Sequence, residues 1–211
     1  MRRHAGAILL LLLFLDLFAL SLQGAPIPPR PYTGSGLLLI RQTPRQAGGL
    51  PAPLVFYREP GIGRIAEKSP DRLPLLHKVL VPAPGDFPAA VLGRKGNWLL
   101  LAYDEGGHTG WIEKSRSWED IRWREFLPGR TIQLLPGLKK DHAVLRREPR
   151  SDAGELTPLS PADAFRVEEV QGDWLRVSSH TVASGWLRWR DDSGRFLIAL
   201  PQGQRGSNPD R

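Results

Sequence analysis

Two stretches of this chain repeat the same arrangement of glycine and tryptophan. The first, GNWLLLAYDEGGHTGWIE, begins at Gly96, and the second, GDWLRVSSHTVASGWLRW, begins at Gly172. Their Gly-x-Trp motifs lie 76 positions apart and their Gly-Trp dipeptides 75, so a single deletion separates the copies. Further upstream, YREP ending at Pro60 matches RREP ending at Pro149 at an offset of 89 positions. Two copies are too few for a solenoid, so the repeat predicts two domains of similar fold.

The composition predicts that both domains are built from β-strands. Of the 211 residues, 22 are glycine and 20 are proline, which favours short strands joined by turns. One exception is SWEDIRWREFL, where Trp118, Ile121 and Phe126 stand near helical spacing. Because Ser117 precedes them, we expect a short helix or 3₁₀ turn with a serine N-cap.

The first 24 residues have the pattern of a secretory signal peptide. Arg2 and Arg3 precede the apolar run AGAILLLLLFLDLFALSL, and small residues follow it. The chain is therefore predicted to be periplasmic or secreted. Because the run nearly reaches the length of a membrane span, an uncleaved N-terminal membrane anchor is the alternative. A membrane is predicted as a partner only in that case.

Cysteine content and net charge limit the kinds of site and partner that the chain can have. The chain has no cysteine, which excludes disulfides, a thiol nucleophile and thiolate metal sites. Its formal net charge is +7, which suits an anionic surface such as a cell-envelope polymer or lipid headgroups. Charge alone specifies no partner.

Residues beyond the predicted leader divide into five predicted segments. A proline- and glycine-rich linker occupies residues 25–35 and is followed by a first domain at 36–115. Residues 116–130 are predicted to be a linker that contains the short helix, and residues 131–200 form the second domain. The polar tail, 201–211, is predicted to be disordered.

The ordered motifs of the two halves resemble the bacterial SH3 (SH3b) family. The second half carries VLRREP, FRVEEVQGDWLRV and SGWLRW, and the first carries LVFYREP, AAVLGRKGNWLLLAY and TGWIE. In the first half, the proline-rich insertion GIGRIAEKSPDRLPLLHKVLVPAPGD separates the motifs, and its prolines forbid a long element. The resemblance covers most of residues 50–200 and implies an all-β chain of two tandem small SH3-like β-barrels. Neither copy has the Ala-Leu-Tyr-Asp-Tyr or Pro-Ser-Asn-Tyr run that completes a polyproline groove, so binding of proline motifs is not expected.

Strand alternation separates core from surface within each repeat. In DWLRV, Trp174 lies on the face opposite Leu175, and Trp98 has the same relation to Leu99. The predicted core residues of these two strands are Leu99, Leu101, Leu175 and Val177. The tryptophans are then expected on the outer faces.

The resemblance implies that Trp98 and Trp174 are the ligand-facing positions, because the matching tryptophan of eukaryotic SH3 domains lines the peptide groove. Nearby basic side chains predicted to assist are Arg94, Lys95 and Arg176. Trp189 is a further candidate, with two readings: it faces a ligand, or it is a hairpin surface aromatic stacked on neighbouring arginines. Packing over the thin core of a small barrel is the alternative for Trp98, Trp174 and Trp189, and it is the preferred interpretation for Trp111 and Trp186. Gly110 and Gly185 are expected at close backbone approaches or bulges.

The sequence nominates no catalytic machinery. Its five histidines, at positions 4, 77, 108, 142 and 180, lack metal-ligand spacing, and no nucleophile elbow, P-loop or dinucleotide motif occurs. We therefore predict no enzyme activity, no metal and no cofactor. Nucleic acid is not predicted as a partner, because export argues against it and the charges alternate in sign.

These observations predict an exported, non-catalytic binding or scaffolding protein of the bacterial cell envelope. By the resemblance, its ligand is peptidoglycan peptide or an envelope protein partner. An electrostatic binder of anionic cell-wall polymer, similar to Gly-Trp modules, is one alternative, and salt-sensitive binding distinguishes it. A purely structural subunit of an envelope complex is the other, and a large exposed apolar patch would favour it.

Overall fold

A computed structural model describes residues 30–41, 52–180 and 184–201. The predicted signal peptide, residues 25–29 of the predicted linker, residues 42–51 and 181–183, and the predicted tail beyond residue 201 lie outside the described residues. Within the described part, the chain is mostly β-strand, as the composition predicts.

Fifteen β-strands and one short α-helix are found in the described residues. In the first half the strands are β1 (Gly36–Arg41), β2 (Leu54–Glu59), β3 (Ile62–Lys68), β4 (Asp86–Val91), β5 (Gly93–Lys95), β6 (Trp98–Ala102), β7 (Thr109–Glu113) and β8 (Glu119–Arg122), followed by helix α1 (Trp123–Phe126). In the second half they are β9 (Thr131–Leu134), β10 (Val144–Arg146), β11 (Glu155–Pro158), β12 (Ala164–Gln171), β13 (Trp174–Ser178), β14 (Gly185–Arg188) and β15 (Ile198–Ala199). Three 3₁₀ turns occupy Pro70–Arg72, Leu76–Lys78 and Lys140–His142.

The two halves have the same order of strands. The first half forms a five-stranded sheet, β3-β2-β7-β6-β5, and a three-stranded sheet, β4-β1-β8. Only Leu92 separates β4 from β5, so one bent strand joins the two sheets. The second half forms one sheet, β11-β10-β14-β13-β12-β9-β15, in which β12 takes the place of β4 and β5: its first residues, Ala164–Arg166, pair with β9, and from Arg166 onward it pairs with β13. The sequence repeat is therefore a repeat of topology.

Closure into two barrels is not observed. Among the described strands, the hydrogen-bonded ladders of each half end at unpaired edges, β3 and β8 in the first half and β11 and β15 in the second. The architecture shown is thus all-β, with two topologically equivalent halves.

Period-2 alternation places the core where the sequence predicts it. Leu99 and Leu101 on β6 are 2% and 0% exposed, and Leu175 and Val177 on β13 are both fully buried. Burying such a side chain contributes about 1.5–3 kcal/mol relative to leaving it in water. In both repeats, the strand that begins at the tryptophan of Gly-x-Trp is therefore a central strand of the core.

The proline-rich insertion is part of the core between the two halves. Its first residues form the seven-residue strand β3, which the prediction of no long element missed, and residues 69–85 have only 3₁₀ turns and loop. Several of its apolar side chains are buried with those of the second half. Leu76, Val79 and Leu80 belong to the same cluster as Phe165, and Leu80 forms an isolated parallel bridge with Leu200. The two halves consequently share apolar contacts rather than standing apart as separate modules.

Residues 30–35 do not behave as the predicted spacer. Thr33 is 1% exposed, and its backbone N–H donates to the carbonyl of Gly194 over 2.9 Å. Tyr32 forms an antiparallel bridge with Arg195. The carbonyl of Pro31 accepts a hydrogen bond from the backbone of Phe196. Backbone pairing therefore holds this segment against the second half. Its proline content could not predict this, because the partner lies far away in the sequence.

The predicted linker 116–130 begins with a strand. Glu119–Arg122 forms β8 and pairs with β1, placing Ile121 opposite Leu37. The helix is limited to Trp123–Phe126, and its N-cap is Arg122 rather than the predicted serine. Pairing with β1 overrides the local helical spacing of the segment.

Candidate functional site

A row of partly exposed aromatic side chains crosses the outer face of the five-stranded sheet. Tyr57 on β2 pairs with Trp111 on β7, and Trp111 pairs with Leu100 on β6. Trp98 starts β6 and faces outwards by the same alternation, opposite the buried Leu99. We call Tyr57, Trp98, Leu100 and Trp111 the aromatic face. Each of the four is partly buried, so the row is accessible yet supported by packing.

Trp98 is held in a defined orientation within this face. Its ring lies 5.5 Å from that of Tyr57 at an interplanar angle of 88°, an edge-to-face arrangement. Gly61 lies beside the ring, since a Cβ atom there would be 3.6 Å from it. Lys95 pairs with Trp98 across the hairpin and is exposed. The prediction of an outward, partly exposed Trp98 next to Lys95 agrees with the structure.

The equivalent face of the second half is different because arginines stand at three of the matching positions. At the repeat offsets of 89, 76 and 75, the positions of Tyr57, Leu100 and Glu113 are occupied by arginines, and these are Arg146, Arg176 and Arg188. They pair across the strands with the two tryptophans of the repeat: Arg146 and Arg176 with Trp186, and Arg188 with Trp174. Tryptophan and arginine therefore alternate on this face.

These arginines are neutralised by acids of the same half. Arg176 lies 3.3 Å from a carboxylate oxygen of Glu168 and donates to the Ser184 hydroxyl over 2.9 Å. Arg188 lies 6.0 Å from the ring centroid of Trp174 and hydrogen-bonds Asp192. That hydrogen bond holds the pKa of Asp192 below its usual value. Trp174 and Arg176, both predicted as ligand residues, thus have partners within the chain.

Arg94, also predicted as a ligand residue, is a structural cross-link. Its guanidinium forms two-pronged hydrogen bonds with the carboxylate of Asp120 on β8, the shortest being 2.6 Å, and donates to the Ser35 hydroxyl over 2.6 Å. Only 21% of the Arg94 side chain and 14% of the Asp120 side chain are exposed. The prediction is corrected because Asp120, 26 positions away in the chain, is brought beside Arg94 by the pairing of β8 with β1.

We expect Arg94→Ala to lower the free energy of unfolding by about 1–3 kcal/mol, since it leaves the largely buried Asp120 carboxylate without its partner. Asp120→Asn should recover part of the loss in the double variant, because the uncompensated charge is then removed. Urea denaturation of the four proteins measures this coupling. Lys95→Ala is the control and should change stability by less than about 0.5 kcal/mol.

Trp189 is a core residue, so its predicted position on the surface, as a ligand-facing or hairpin aromatic, is wrong. It is 1% exposed, and its indole N–H donates to the backbone carbonyl of Gly172 over 3.0 Å. Its ring packs against Trp123 and Phe196 at centroid separations of 6.0 and 5.9 Å. The expected arginine stacking does occur, because the guanidinium of Arg190 lies 5.1 Å from the ring. Helix α1 and the hairpin after β14 together bury it.

A cleft of about 530 Å³ opens where the N-terminal segment, the insertion and the second half meet. Apolar side chains form much of its lining, namely Leu75, Leu76, Ala89, Ala90, Leu92 and Ala102. Arg30, Tyr32 and Arg195 contribute on one side, and Asp104 and Glu105 come from the loop between β6 and β7. No local motif announces this cleft, since its walls come from positions as far apart as 30 and 195.

The loop that carries Asp104 is organised by His108. The Asp104 carboxylate lies 2.9 Å from Nδ1 of His108 and accepts a hydrogen bond from its backbone N–H over 3.1 Å, and Tyr103 stacks on the imidazole. Desolvation opposes ionisation, but the hydrogen bonds from His108 outweigh it and hold the pKa of Asp104 below its usual value of 3.8. This contribution to stability is present above the ordinary carboxyl pKa and is lost as the pH falls through the lower folded-state value.

Metal-binding clusters and membrane-spanning helices are absent from the described residues. No group of three or more histidine, aspartate or glutamate side chains is arranged to hold a metal ion in the part of the chain that the structure covers. No helix within residues 30–41, 52–180 and 184–201 is long and apolar enough to cross a membrane.

Comparison with known proteins adds no family assignment. No protein-family model matches the chain, and no curated protein matches it.

Proposed function

We propose that this chain is a non-catalytic binding protein of the bacterial cell envelope, exported by its N-terminal leader and built from two SH3-like units. The ligand is peptidoglycan peptide or an envelope protein that presents a similar extended segment. The repeated strand order supports the SH3-like assignment, since equivalent strands follow one another in the same spatial order in both halves.

One observation carries the proposal: the aromatic face of the first half is partly exposed and lies beside the exposed Lys95. Aromatic side chains in such positions supply large contact area at low entropic cost and dominate binding energy at interfaces. Lys95 has no salt-bridge partner among the described residues, so its charge is available to a carboxylate. We therefore place the ligand on the face that contains Trp98.

The corresponding face of the second half is a weaker candidate. Trp174 is accompanied by Arg188, and the arginines of this face are already paired with Glu168 and Asp192. A ligand there has to break ion pairs that the protein makes internally. We infer that the alternating Trp and Arg residues of this face stabilise the fold of the second half rather than bind a ligand.

Sedimentation of the full chain with purified peptidoglycan sacculi, at low and moderate salt, tests the proposal. We expect Trp98→Ala to weaken binding at least about tenfold, because a central aromatic contact is lost. Trp174→Ala is the matched control, the same change at the equivalent position of the other repeat, and should bind as wild type does. Circular dichroism and urea midpoints confirm that both variants are folded.

The possible results separate the candidate functions. Binding that persists at moderate salt and fails in folded Trp98→Ala supports the aromatic face. Binding that moderate salt abolishes in all three proteins favours the electrostatic polymer binder. No binding by wild type at either salt would exclude peptidoglycan and direct the search to envelope proteins.

A further inference from the structure

The cleft offers charged groups of both signs above an apolar lining. Lys78 comes from the 3₁₀ turn Leu76–Lys78, and Glu105 comes from the loop between β6 and β7. The cleft is also lined by the small side chains of Ala89, Ala90 and Ala102. Its volume of about 530 Å³ falls in the range typical of sites for small ligands, roughly 300–1,000 Å³.

Most of the other charges that line the cleft are already satisfied. The Arg195 guanidinium lies 4.1 Å from the ring centroid of Tyr32 and donates to the Tyr32 hydroxyl over 2.9 Å and the Arg30 carbonyl over 2.6 Å. Arg30 in turn pairs with Asp191 at 2.8 Å. Asp104 is bound by His108. These contacts fix the walls of the cleft, although the Arg195 guanidinium has only neutral partners among the described residues and keeps its positive charge.

Lys78 and Glu105 are the exceptions. Both are exposed, and neither makes an ion pair with any residue that the structure describes. A lysine ammonium donates three hydrogen bonds and a glutamate carboxylate only accepts them. Lys78 therefore favours an anionic group of a ligand, and Glu105 favours a cationic one. The apolar side chains of the lining contact the uncharged part of a ligand that carries both charges.

We propose that the cleft is a second binding site, specific for a short peptide that carries both a carboxylate and an ammonium group. Lys78 pairs with the carboxylate and Glu105 with the ammonium, while the peptide chain lies along the apolar lining. The site does not depend on ligand binding at the aromatic face. Ala102 ends the strand that Trp98 begins, which separates the two positions by about 13 Å along β6.

Titration of the ¹⁵N-labelled full chain with trialanine, followed by NMR, tests the proposal. Trialanine has free ends of both charges, N-acetyl-trialanine has only the carboxylate, and trialanine amide has only the ammonium. We expect saturable shifts of the Gly106 and Gly107 amides, which line the cleft, with dissociation constants at least about threefold higher for either blocked peptide.

Two variants assign each end of the ligand. Lys78→Ala should bind trialanine and trialanine amide equally, and Glu105→Gln should bind trialanine and N-acetyl-trialanine equally, because each variant removes the group that recognises the blocked end. Lys95→Ala and Glu113→Gln are matched controls outside the cleft and should keep the full preference. Trp98→Ala should bind trialanine as wild type does, which separates this site from the aromatic face.

The proposal is overturned if none of the three peptides produces saturable shifts at the cleft. It is equally overturned if wild type binds all three with the same affinity, or if the two cleft variants discriminate as wild type does. Loss of sacculus binding in Trp98→Ala with intact trialanine binding supports both sites independently.

Discussion

Trp189→Ala is expected to lower the free energy of unfolding by about 3–5 kcal/mol, the cost of removing a fully buried aromatic side chain. Trp189 is 1% exposed and joins the second half to Trp123 of helix α1 through an edge-to-face contact. The substitution leaves a cavity between the halves and also leaves the Gly172 carbonyl without its indole donor. Urea denaturation monitored by circular dichroism measures the loss.

Trp189→Phe separates the two causes of that loss. Phenylalanine keeps most of the ring packing against Trp123 and Phe196 but cannot donate to Gly172. We expect it to cost about 1–2 kcal/mol, near the value of one buried hydrogen bond with a small volume change. If Trp189→Ala loses less than about 1 kcal/mol, the side chain is not in the core.

Gly185→Ala is expected to lower the free energy of unfolding by about 1–3 kcal/mol, because it overpacks the core of the second half. A Cβ atom at Gly185 would lie 2.5 Å from Cγ of Leu145, which is fully buried and cannot move aside cheaply. Thermal and urea denaturation measure the change. The destabilisation should grow with Gly185→Val, since a larger side chain meets the same neighbour.

Gly154→Ala is the matched control for this prediction. A Cβ atom at Gly154 would make only ordinary contact, 3.5 Å from Cδ of the exposed Arg147. We expect its stability to stay within about 0.5 kcal/mol of wild type. Equal effects of the two substitutions would contradict the close approach of β14 to β10 that the structure requires.

The glycines of the two Gly-Trp dipeptides show how a sequence expectation acquires a physical cause. Both were predicted at close backbone approaches, and both are buried with a core side chain where a Cβ atom would stand. Gly110 meets Phe56 at 3.0 Å, and Gly185 meets Leu145 at 2.5 Å. Both copies of the repeat therefore keep a glycine where β7 or β14 passes too close to a core side chain for a Cβ atom to fit without displacing it.

The two repeats also differ where their likeness in sequence suggested equality. In the first, Trp98 and Trp111 stand among Tyr57 and Leu100, and the face is apolar. In the second, arginines stand at the corresponding positions and are paired with acids of the same half. One copy is therefore the better ligand surface under the proposed function, and the other has become internally satisfied.

The sequence alone determined the features that depend on neighbours close in the chain. Strand alternation was sufficient to predict that Leu99, Leu101, Leu175 and Val177 are buried and that Trp98 faces outwards. The repeat was sufficient to predict two halves of similar construction. These properties follow from the two-residue period of a β-strand and from turn glycines, which act over a few positions.

Tertiary structure alone decided that Trp189 is buried, that Arg94 is paired and that the cleft exists. Trp189 is buried because helix α1 packs against it, and Arg94 is paired because β8 joins β1 and brings Asp120 beside it. The cleft requires Arg30 and Asp191 to pair although 161 positions separate them. Local patterns report only which side of an element a residue occupies, whereas the partner on that side depends on how distant segments pack.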